Sequence, residues 1–329
     1  MRWPCWLCGR NLVTDTHPGL NGIRIVLGGN AFGWTIDRDA SFAVLDAFYE
    51  AGGRSIDTAE IYSAWVPGNK GGESETIIGQ WLTSRGVRKE MRIGTKTGMG
   101  GAEGALAPDK VAAACDGSME RLQTDYIDLY YIHRDDDVTS ASDVVSGYNA
   151  LIDAGKVREL GASNISTARL AAMNVDASAR DLFSFTVLQP GYNLVWRNEY
   201  PADLEALALR DGIAVVPYYS LGAGFLTGKY ASDADFASRP DFTNRRGRSA
   251  KLFASELGWA SLPVLEAIAR ECGATMGQVA LAWLASRPAI WAPIASATGP
   301  AQVAELIAAT QLQLGHDQRA RLNAISVDG

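Results

Sequence analysis

Four side chains able to take part in acid–base chemistry stand at or just beyond the ends of short apolar runs. Asp57 closes the run "RSID", Lys96 closes "MRIGTK", and His133 closes "IDLYYIH". Tyr62 follows Asp57 by five positions, in the stretch "SIDTAEIY". If the three runs are neighbouring strands of a parallel barrel, their carboxyl ends meet at one mouth, and the four groups converge there.

These residue types suit proton donation to a carbonyl oxygen. A tyrosine has an ordinary pKa of about 10 and is a weak acid at neutral pH. A lysine ammonium beside it favours the phenolate and lowers that pKa, while a buried carboxylate keeps the lysine charged and in place. A histidine at the same point can hydrogen-bond the carbonyl oxygen. None of the four attacks carbon, so the set needs a separate reductant, for which hydride from a nicotinamide is the natural candidate.

Each of the four residues also has a structural interpretation. Asp57 could cap the next segment, and Lys96 could be a solvated charge at a strand end. His133 precedes "RDDD" and could pair with those acids in a loop, while Tyr62 could be an aromatic residue of the rim. The catalytic interpretation is favoured because all four arise at the carboxyl ends of the second, third and fourth strand candidates.

The rest of the chain alternates strand-like and helix-like segments from one end to the other. The strand candidates are "IRIVLG", "RSID", "MRIGTK", "IDLYYIH", "VRELGAS", "FTVLQPGYN", "IAVVPYY" and "IWAPIAS". Amphipathic stretches lie between them, several with helix-capping residues at their ends; examples are "DASFAVLDAFYEAG", "SETIIGQWLTSRG", "PDKVAAACDGSMERLQT" and "PADLEALALRDG". This alternation predicts a (β/α)8 barrel.

The chain shows no linker-like change of composition. Residues 21–329 are therefore predicted to form one barrel domain, and residues 1–20 an N-terminal extension that could be flexible. Two connections, 62–73 and 229–255, are longer than ordinary loops. Both follow strand candidates, so we expect them to extend the carboxyl-terminal face of the barrel, where active sites are built.

Composition and charge exclude several other classes of protein. The net charge of -7 disfavours a nucleic-acid surface. No apolar run reaches the roughly 18–20 residues of a membrane span, and the N-terminus lacks the apolar stretch of a secretion signal, so a cytoplasmic location is expected. Cys5 and Cys8 form a C-x-x-C pair without the flanking ligands or elements of a zinc or redox site, which favours a tail feature without a function.

The landmarks of the chain resemble those of the aldo-keto reductase superfamily, in that family's order, from about residue 20 to residue 310. They are "LGGNAFGW", "DTAEIY", "GESETIIGQWL", "TKTG", "YYIHRDD", "GASN", "LQPGYN", "YSLGAGFLTGKY" and "ALAWL". The resemblance implies a (β/α)8 barrel that reduces carbonyl compounds with NAD(P)H. It also implies the catalytic tetrad Asp57, Tyr62, Lys96 and His133, with Tyr62 as general acid, Lys96 and Asp57 assisting it, and His133 orienting the substrate carbonyl.

The same resemblance implies where the coenzyme binds. Ser163, Asn164 and Gln189 match the residues that hold the nicotinamide carboxamide, and Tyr218 matches the aromatic residue that stacks on its ring. The remaining coenzyme residues implied by the motifs are Gly29, Asn30, Asp57, Ser220, Leu221, Gly224, Thr227, Lys229, Arg239, Ser296, Thr298, Gln302 and Glu305. The glycines and backbone N–H groups of "SLGAGFLTGK" suit a pyrophosphate, with Lys229 as a charge partner.

NADPH is predicted over NADH, which stays the alternative coenzyme. Arg239 lies ten residues after Lys229, a spacing that resembles a 2′-phosphate arginine in one branch of the family. A plain loop cation is an equal interpretation of Arg239. Leu306 stands where an asparagine usually meets adenine, and the arginine that some relatives carry at the position of Gln302 is missing.

Aromatic residues follow the first, second and sixth strand candidates: Trp34, Trp65, Tyr192 and Trp196. With Tyr62 and His133 they are predicted to line a pocket for a fairly large, partly apolar carbonyl compound or a sugar-like ring. The alternative is packing at the rim. The sequence does not choose between an aldehyde, a ketone and a keto sugar, and it leaves the oligomeric state open.

Three other functions are alternatives to the reductase. A coenzyme-binding regulatory subunit, such as the potassium-channel β subunits that resemble this chain, is the main alternative, although that lineage usually carries another residue at the position of His133. A metal-dependent hydrolase is disfavoured because only three histidines exist, at positions 17, 133 and 316, so no metal is predicted. A scaffold barrel would not need four convergent titratable groups.

Overall fold

The structure is a computed structural model that describes residues 23–99, 103–238 and 249–325. The extension predicted for residues 1–20, together with Cys5 and Cys8, lies outside the described residues. The strands are β1 (Val26–Gly28), β2 (Ser55–Asp57), β3 (Arg92–Thr97), β4 (Leu129–Ile132), β5 (Leu160–Ser163), β6 (Phe185–Gln189), β7 (Ala214–Val215) and β8 (Ile294–Ala295).

The helices between and after the strands are α1 (Arg38–Glu50), α2 (Glu73–Arg85), α3 (Pro108–Leu122), α4 (Ala141–Asp153), α5 (Thr167–Ala179), α6 (Ala202–Asp211), α7 (Asp233–Ser238), α8 (Glu256–Cys272), α9 (Met276–Ala285), α10 (Pro300–Ala309) and α11 (His316–Asn323). Within the described ranges, no helix is both long and apolar enough to cross a membrane.

The eight strands form one parallel sheet that curls into a barrel. Its order is β7-β6-β5-β4-β3-β2-β1-β8, so neighbours in the chain are neighbours in the sheet, with β8 beside β1. A parallel bridge between Val215 and Ile290 joins β7 to the segment that leads into β8, and Trp291 N donates to Val215 O at 2.8 Å. The predicted (β/α)8 barrel is confirmed.

Strand side chains alternate between two apolar clusters, as the period of a strand requires. In β4, Leu129 and Tyr131 belong to the cluster inside the barrel, which also holds Val26 and Val187. The intervening Tyr130 belongs to the larger cluster between the sheet and the helices. Both faces of the sheet are therefore buried, and the polar residues of the site are confined to the strand ends.

The helices begin and end at residues that the sequence marks as caps. Asp37 accepts a hydrogen bond from Ala40 N at 2.9 Å and begins α1, while Pro108 occupies the first turn of α3. Gly86 and Gly212 end α2 and α6 in the left-handed region, with φ of 68° and 66°. Such caps satisfy backbone groups that a helix leaves unpaired, which fixes where the connecting loops start.

The two long connections follow β2 and β7, as predicted. The first is tied to the loop after β1: Asn69 Nδ2 donates to Gly33 O at 3.0 Å, and Ser63 Oγ donates to Phe32 O at 2.8 Å. These bonds bring the segment around residue 34 against the segment around residue 65. The second connection contains α7, and its residues 239–248, with Arg239, lie outside the described ranges.

Candidate active site

The four predicted acid–base residues lie together at the carboxyl ends of adjacent strands. Asp57 is the last residue of β2, Lys96 is the next-to-last residue of β3, and His133 directly follows β4. All three side chains are buried, and Tyr62, on the loop after β2, is half-buried. The structure thus brings together residues that are up to 76 positions apart (from 57 to 133).

The ammonium of Lys96 is held by three acceptors. Its Nζ donates to Asp57 Oδ2 at 2.7 Å, to the backbone oxygen of Thr58 at 2.7 Å and to the Tyr62 hydroxyl at 3.0 Å. An ammonium has three N–H groups, so all are used. Burial lowers the pKa of Lys96, and the charge of Asp57 offsets part of that effect. Lys96 is therefore neither solvated nor mobile.

The Tyr62 hydroxyl accepts a short hydrogen bond from Lys96 but donates only a long one to Asp57. Its hydroxyl lies 3.4 Å from Asp57 Oδ2, beyond the normal range for O–H···O, whereas Lys96 donates to it at a normal distance. The phenolic proton is therefore available to an incoming acceptor, and the charge left on the phenol oxygen would face an ammonium.

The expected direction of the Tyr62 pKa is corrected by the structure. Burial first, and then the carboxylate of Asp57, raise the pKa of Tyr62 well above its ordinary value, since both disfavour a phenolate. Tyr62 is accordingly protonated at neutral pH, which is the form that a proton donor needs.

His133 does not pair with the acidic residues that follow it. Asp135 forms an ion pair with Arg169 at 2.9 Å, and Asp136 accepts from the backbone of Leu106 at 2.9 Å. The His133 ring lies edge-on to Tyr62 at 6.0 Å between centroids, and its buried Nδ1 has no hydrogen-bond partner among the described residues. Burial, with a smaller contribution from Lys96, holds the pKa of His133 well below its usual value, so the ring is neutral.

Asp57 has a second partner that the motif comparison did not reveal. Gln189 Nε2, at the end of β6 on the other side of the barrel, donates to Asp57 Oδ1 at 2.8 Å. Both carboxylate oxygens are thus engaged inside the barrel, and Asp57 does not cap a helix. Tyr131 lies beneath the group, with Lys96 Nζ at 5.9 Å from its ring centroid. The inward position of Tyr131 in β4 was readable from the alternation of that strand.

The residues predicted for the carboxamide are connected at the ends of β5 and β7. Asn164 Nδ2 donates to His133 O at 2.7 Å and to Ser163 Oγ at 3.0 Å, and Tyr218 donates its hydroxyl to Asn164 Oδ1 at 2.9 Å. Asn164 adopts φ of 48°, a left-handed conformation that asparagine tolerates. The network fixes the Tyr218 ring beside the tetrad.

A cavity of about 380 Å³ adjoins this network and is lined by Arg134, Asn164, Ser166, Gly191, Glu199 and neighbouring residues of the same loops. It shares Asn164 with the site, but the four tetrad residues are not in its lining. It therefore lies beside the catalytic group rather than over it.

The glycine-rich segment after β7 forms a turn with three successive left-handed residues, Gly222, Ala223 and Gly224, at φ of 55°, 52° and 93°. A Cβ on Gly224 would lie 3.1 Å from Lys229 Nζ, so the lysine side chain crosses this turn. Thr227 Oγ1 donates to Gly224 O at 2.7 Å, and Ser220 Oγ donates to Pro217 O at 3.0 Å. Leu221 precedes the turn. Such a concave run of backbone with a cation beside it suits an anion.

The segment after β8 meets the segment after β1. Ser296 Oγ donates to Asn30 Oδ1 at 2.5 Å, next to Gly29, and a Cβ on Gly28 would come within 2.6 Å of Ser296 Oγ. A side chain at position 28 would therefore displace the Ser296 hydroxyl from this contact.

Later in the same segment, Gln302 Oε1 accepts a hydrogen bond from Thr298 N at 2.8 Å. Glu305 Oε2 accepts a long one from Thr275 Oγ1 at 3.4 Å. Leu306 is buried in the core, so the departure from asparagine at this position leaves no polar group there.

Two groups of aromatic residues flank the tetrad. In the first, the Trp34 and Trp65 rings are edge-on at 5.3 Å, and Trp65 lies 6.2 Å from Tyr62. In the second, Trp196 lies 6.1 Å from Tyr218. The predicted residues Trp34, Trp65 and Trp196 thus adjoin the site.

Tyr192 does not join these aromatic groups. It is buried in the core between Tyr200 and Trp283, at 5.2 and 6.0 Å. Its ring packs against a helix and a loop behind the barrel wall rather than facing the mouth. Tyr192 therefore lies outside the candidate site, contrary to the prediction. Tyr219, which follows Tyr218 in the chain, was not among the predicted residues, and its ring lies 5.7 Å from that of Trp196.

No cluster of three or more His, Cys, Asp or Glu side chains suited to a metal ion occurs in the part of the chain that the structure describes. Among the predicted coenzyme and substrate residues, Asn164, Gln189 and Trp65 contact members of the tetrad. Gln302 and Glu305 lie in α10, after β8. The arrangement presents a protonated phenol, backed by a buried ammonium, next to two aromatic groups.

Comparisons with known proteins identify the family of the chain. The family model "Aldo/keto reductase family" matches residues 24–327. Uncharacterized oxidoreductase YrpG of Bacillus subtilis (strain 168) is 30% identical over 319 residues, 93% of this chain and 93% of that protein. Norsolorinic acid reductase of Aspergillus flavus is 31% identical over 264 residues, 74% of this chain and 63% of that protein.

A third relative has a different kind of name. A probable voltage-gated potassium channel subunit beta of Oryza sativa subsp. japonica is 31% identical over 283 residues, 83% of this chain and 83% of that protein. The match to the family model covers nearly the whole barrel, from before β1 to beyond α11. The chain therefore belongs to the aldo/keto reductase family of oxidoreductases.

Proposed function

We propose that this protein reduces the carbonyl group of an aldehyde or ketone with NADPH, and that Tyr62 donates the proton. The observation that carries the proposal is the position of Lys96 Nζ, 3.0 Å from the Tyr62 hydroxyl and 2.7 Å from Asp57 Oδ2, in a buried site. Tyr218 would hold the nicotinamide ring, which would supply hydride to the carbonyl carbon. The residues of the chain supply the proton and hold the carbonyl in place.

Each tetrad residue has a role that follows from its contacts. Tyr62 gives the proton of its hydroxyl, which makes only a long hydrogen bond to Asp57, to the carbonyl oxygen. Lys96 stabilises the negative charge that then grows on the phenol oxygen, in a buried site where such charges interact strongly. Asp57, fixed by Gln189, keeps the ammonium charged and aimed at Tyr62. Neutral His133 presents a ring nitrogen to the same carbonyl oxygen and so orients it.

The residues present fit a dinucleotide coenzyme. Ser163 and Asn164 offer hydroxyl and amide groups at strand ends, next to the Tyr218 ring, and Gln189 lies across from them. The left-handed turn at Gly222, crossed by Lys229, is shaped for a pyrophosphate. The adjoining segments at Asn30 and Ser296, and at Thr298, Gln302 and Glu305, are assigned to the adenosine end.

The preference for NADPH rests on the assignment of Arg239 to the 2′-phosphate. We expect Arg239→Ala to raise the KM for NADPH and to leave the KM for NADH unchanged, because only NADPH carries that phosphate. Arg180→Ala, which removes an exposed arginine on the outside of the barrel, serves as the control. Equal KM values for both coenzymes in all three proteins would rule this assignment out.

The aromatic groups on either side of Tyr62 favour a flat, partly apolar carbonyl substrate. The relative from Aspergillus flavus is named for the reduction of norsolorinic acid. A direct test follows the oxidation of NADPH with a panel of aromatic aldehydes, ketones and keto sugars. Turnover is expected with aromatic members of the panel. A protein that binds NADPH but oxidises it with none of these compounds would contradict the proposal.

The alternative is a coenzyme-binding regulatory subunit, which the similarity to the Oryza sativa protein supports. The same panel separates the two functions. A regulatory subunit would bind NADPH and show at most slow turnover that is insensitive to His133→Ala. A reductase should lose carbonyl turnover in that variant and keep its affinity for NADPH, measured by fluorescence titration of the coenzyme.

A further inference from the structure

Tyr219 occupies a backbone conformation that a tyrosine rarely adopts. It directly follows Tyr218 on the loop after β7, and its φ is 56°, in the left-handed region. For a bulky residue this region is strained and costs on the order of 1–3 kcal/mol. Such strain persists only where the surrounding structure enforces it, and it is concentrated at ligand sites.

Neighbouring loops hold Tyr219 in this conformation. Its backbone oxygen accepts from Gly222 N at 2.7 Å and from Asn193 Nδ2 at 2.9 Å. Asn193 is itself fully buried, and its Oδ1 accepts from Val195 N at 2.9 Å. The loop after β6 therefore fixes the loop after β7, and the direction of the Tyr219 side chain is fixed with it.

The ring of Tyr219 completes the second aromatic group of the site. It packs against Tyr218, Trp196 and Phe253, with centroids at 5.3, 5.7 and 5.4 Å, and it remains half-buried. Tyr219 is also among the groups that raise the pKa of Tyr62, after burial and Asp57, which places it within electrostatic reach of the proton donor. Tyr219 thus belongs to the second aromatic group, whereas Tyr62 contacts the first through Trp65.

The hydroxyl of Tyr219 differs from that of its neighbour. Tyr218 donates to Asn164 Oδ1, whereas the Tyr219 hydroxyl makes no hydrogen bond to any residue that the structure describes. A hydroxyl that a ligand covers must find a partner, because burying it unpaired is unfavourable. The strained backbone and packed ring therefore present a donor to whatever enters beside Tyr62.

We propose that Tyr219 is a substrate-binding residue whose hydroxyl donates a hydrogen bond to a second oxygen of the carbonyl compound, distinct from the oxygen that Tyr62 protonates. The inference rests on the proposed reductase function and narrows its substrate class. The preferred substrates are aromatic carbonyl compounds that carry a hydroxyl, keto or alkoxy oxygen elsewhere on the ring system. A site that hydrogen-bonds such a group discriminates against analogues that lack it.

Matched pairs of aldehydes test this role. The kcat/KM is measured with NADPH for 3-hydroxybenzaldehyde against 3-methylbenzaldehyde, and for 4-hydroxybenzaldehyde against 4-methylbenzaldehyde. The wild type should favour the hydroxylated member of at least one pair by roughly three- to tenfold, the effect of one net hydrogen bond. Tyr219→Phe, which removes a single oxygen, should bring that ratio close to one while the Kd for NADPH is unchanged.

Tyr200→Phe is the matched control, since Tyr200 is buried behind the barrel wall and its hydroxyl also lacks a partner among the described residues. It should keep the wild-type ratio. A wild type without preference in both pairs, or a Tyr219→Phe protein that keeps the preference, overturns the inference and leaves the reductase function standing. A wild type without turnover of any aldehyde overturns both.

Discussion

The ammonium of Lys96 and the carboxylate of Asp57 form a pair that is closed to solvent, with side chains 0% and 4% exposed. Removing one partner of such a pair leaves the other charge buried and uncompensated. We therefore expect Lys96→Met to lower the free energy of unfolding by about 3 kcal/mol, as well as to abolish turnover. Chemical denaturation of the purified protein measures this change.

A surface ion pair supplies the control for that variant. Lys156 and Asp116 lie 2.5 Å apart but are 34% and 54% exposed, so Lys156→Met should cost less than about 1 kcal/mol. The double variant Asp57→Asn, Lys96→Met should recover part of the stability lost in Lys96→Met, because no buried charge remains. Equal stabilities of Lys96→Met and wild type would contradict the burial of the pair.

His133 gives the protein an acid-sensitive stability. Its pKa in the folded protein is well below that of the unfolded chain, because burial disfavours the imidazolium. As the pH falls below about 6.5, the unfolded chain takes up a proton that the folded protein does not, and stability decreases by at most about 1.4 kcal/mol per pH unit. Above that pH the ring is neutral in both states and the contribution is constant.

Urea unfolding between pH 5 and pH 7.5 tests this linkage. His133→Gln should show a flatter dependence on pH than the wild type over the acidic half of the range. His316→Gln is the control, because His316 begins α11 on an exposed surface. Parallel curves for wild type and His133→Gln would show that His133 titrates alike in the folded and unfolded states.

At the residue scale, the sequence predicted which residues lie at the strand ends better than it predicted how buried their side chains are. Asp57, Lys96 and His133 could be located because strand ends are readable from apolar runs. The direction of the Tyr62 pKa could not, because it depends on how far the site is buried. The burial of Tyr192 in the core and the orientation of Tyr219 could not be predicted for a related reason, because the sequence of an irregular loop does not reveal which way a side chain points.

The loop after β6 is anchored to the C-terminal part of the barrel through Arg197. Its guanidinium donates to Ile325 O at 2.7 Å and to Leu322 O at 3.4 Å, at the end of α11, and lies 5.0 Å from the Trp283 ring centroid. The next residue back is Trp196, which packs against Tyr218 and Tyr219. We therefore expect Arg197 to act as a positioning residue for the second aromatic group.

We expect Arg197→Ala to raise the KM for aromatic aldehydes by roughly three- to tenfold, a loss on the order of 1 kcal/mol in substrate binding, with kcat and the Kd for NADPH unchanged. Arg197→Lys should show a smaller rise, because an ammonium keeps the charge but not the planar fork. Steady-state kinetics on both variants, with Arg180→Ala as control, gives the comparison. A rise in KM equal to that of the control would exclude a positioning role.

At the element scale, helix limits were predictable and loop conformations were not. Gly86 and Gly212 mark helix ends because a glycine accepts the left-handed conformation without strain. Gly222 marks a turn in the same way, yet Ala223 and Tyr219 also adopt the left-handed conformation although neither is a glycine. For Tyr219, the tertiary hydrogen bond from Asn193 Nδ2 to its backbone oxygen helps to hold this conformation, and no local pattern encodes that bond.

The whole molecule contains many tyrosines that burial keeps protonated. The pKa values of six are raised chiefly by burial, that of Tyr218 to about 12; the others are Tyr62, Tyr130, Tyr131, Tyr148 and Tyr200. Above pH of about 10 the unfolded chain releases these protons and the folded protein retains them. The contribution of these buried tyrosines to the free energy of unfolding is therefore fully present below that pH and decreases as the pH rises further.

An alkaline titration followed by phenolate absorbance tests this prediction. Exposed tyrosines should ionise at once and reversibly, while the buried set should ionise slowly and together with the loss of the circular dichroism signal. The protein unfolded in guanidinium chloride provides the reference, in which all tyrosines titrate together. A single rapid and reversible transition in the native protein would contradict the burial of these hydroxyls.

The architecture of the whole molecule was the most predictable level. Eight apolar runs separated by amphipathic helices leave few ways to bury both faces of every strand, and closure of a parallel sheet into a barrel is one of them. Closure also explains the convergence of the site, because it brings Gln189 of β6 across to Asp57 of β2. That contact joins residues 132 positions apart and has no trace in the spacing of either motif.

The role of Tyr62 is tested most directly by single-turnover reduction in Tyr62→Phe, with the protein saturated with NADPH and substrate. Tyr126→Phe is the control. Tyr126 precedes β4, at the amino-terminal end of the barrel, and its ring lies between Arg88 and Arg158. The rate in Tyr62→Phe should fall by about 10²–10⁴-fold, the contribution of a general acid, while the Kd for NADPH matches the wild type. A rate within about tenfold of the control would show that the proton comes from another group.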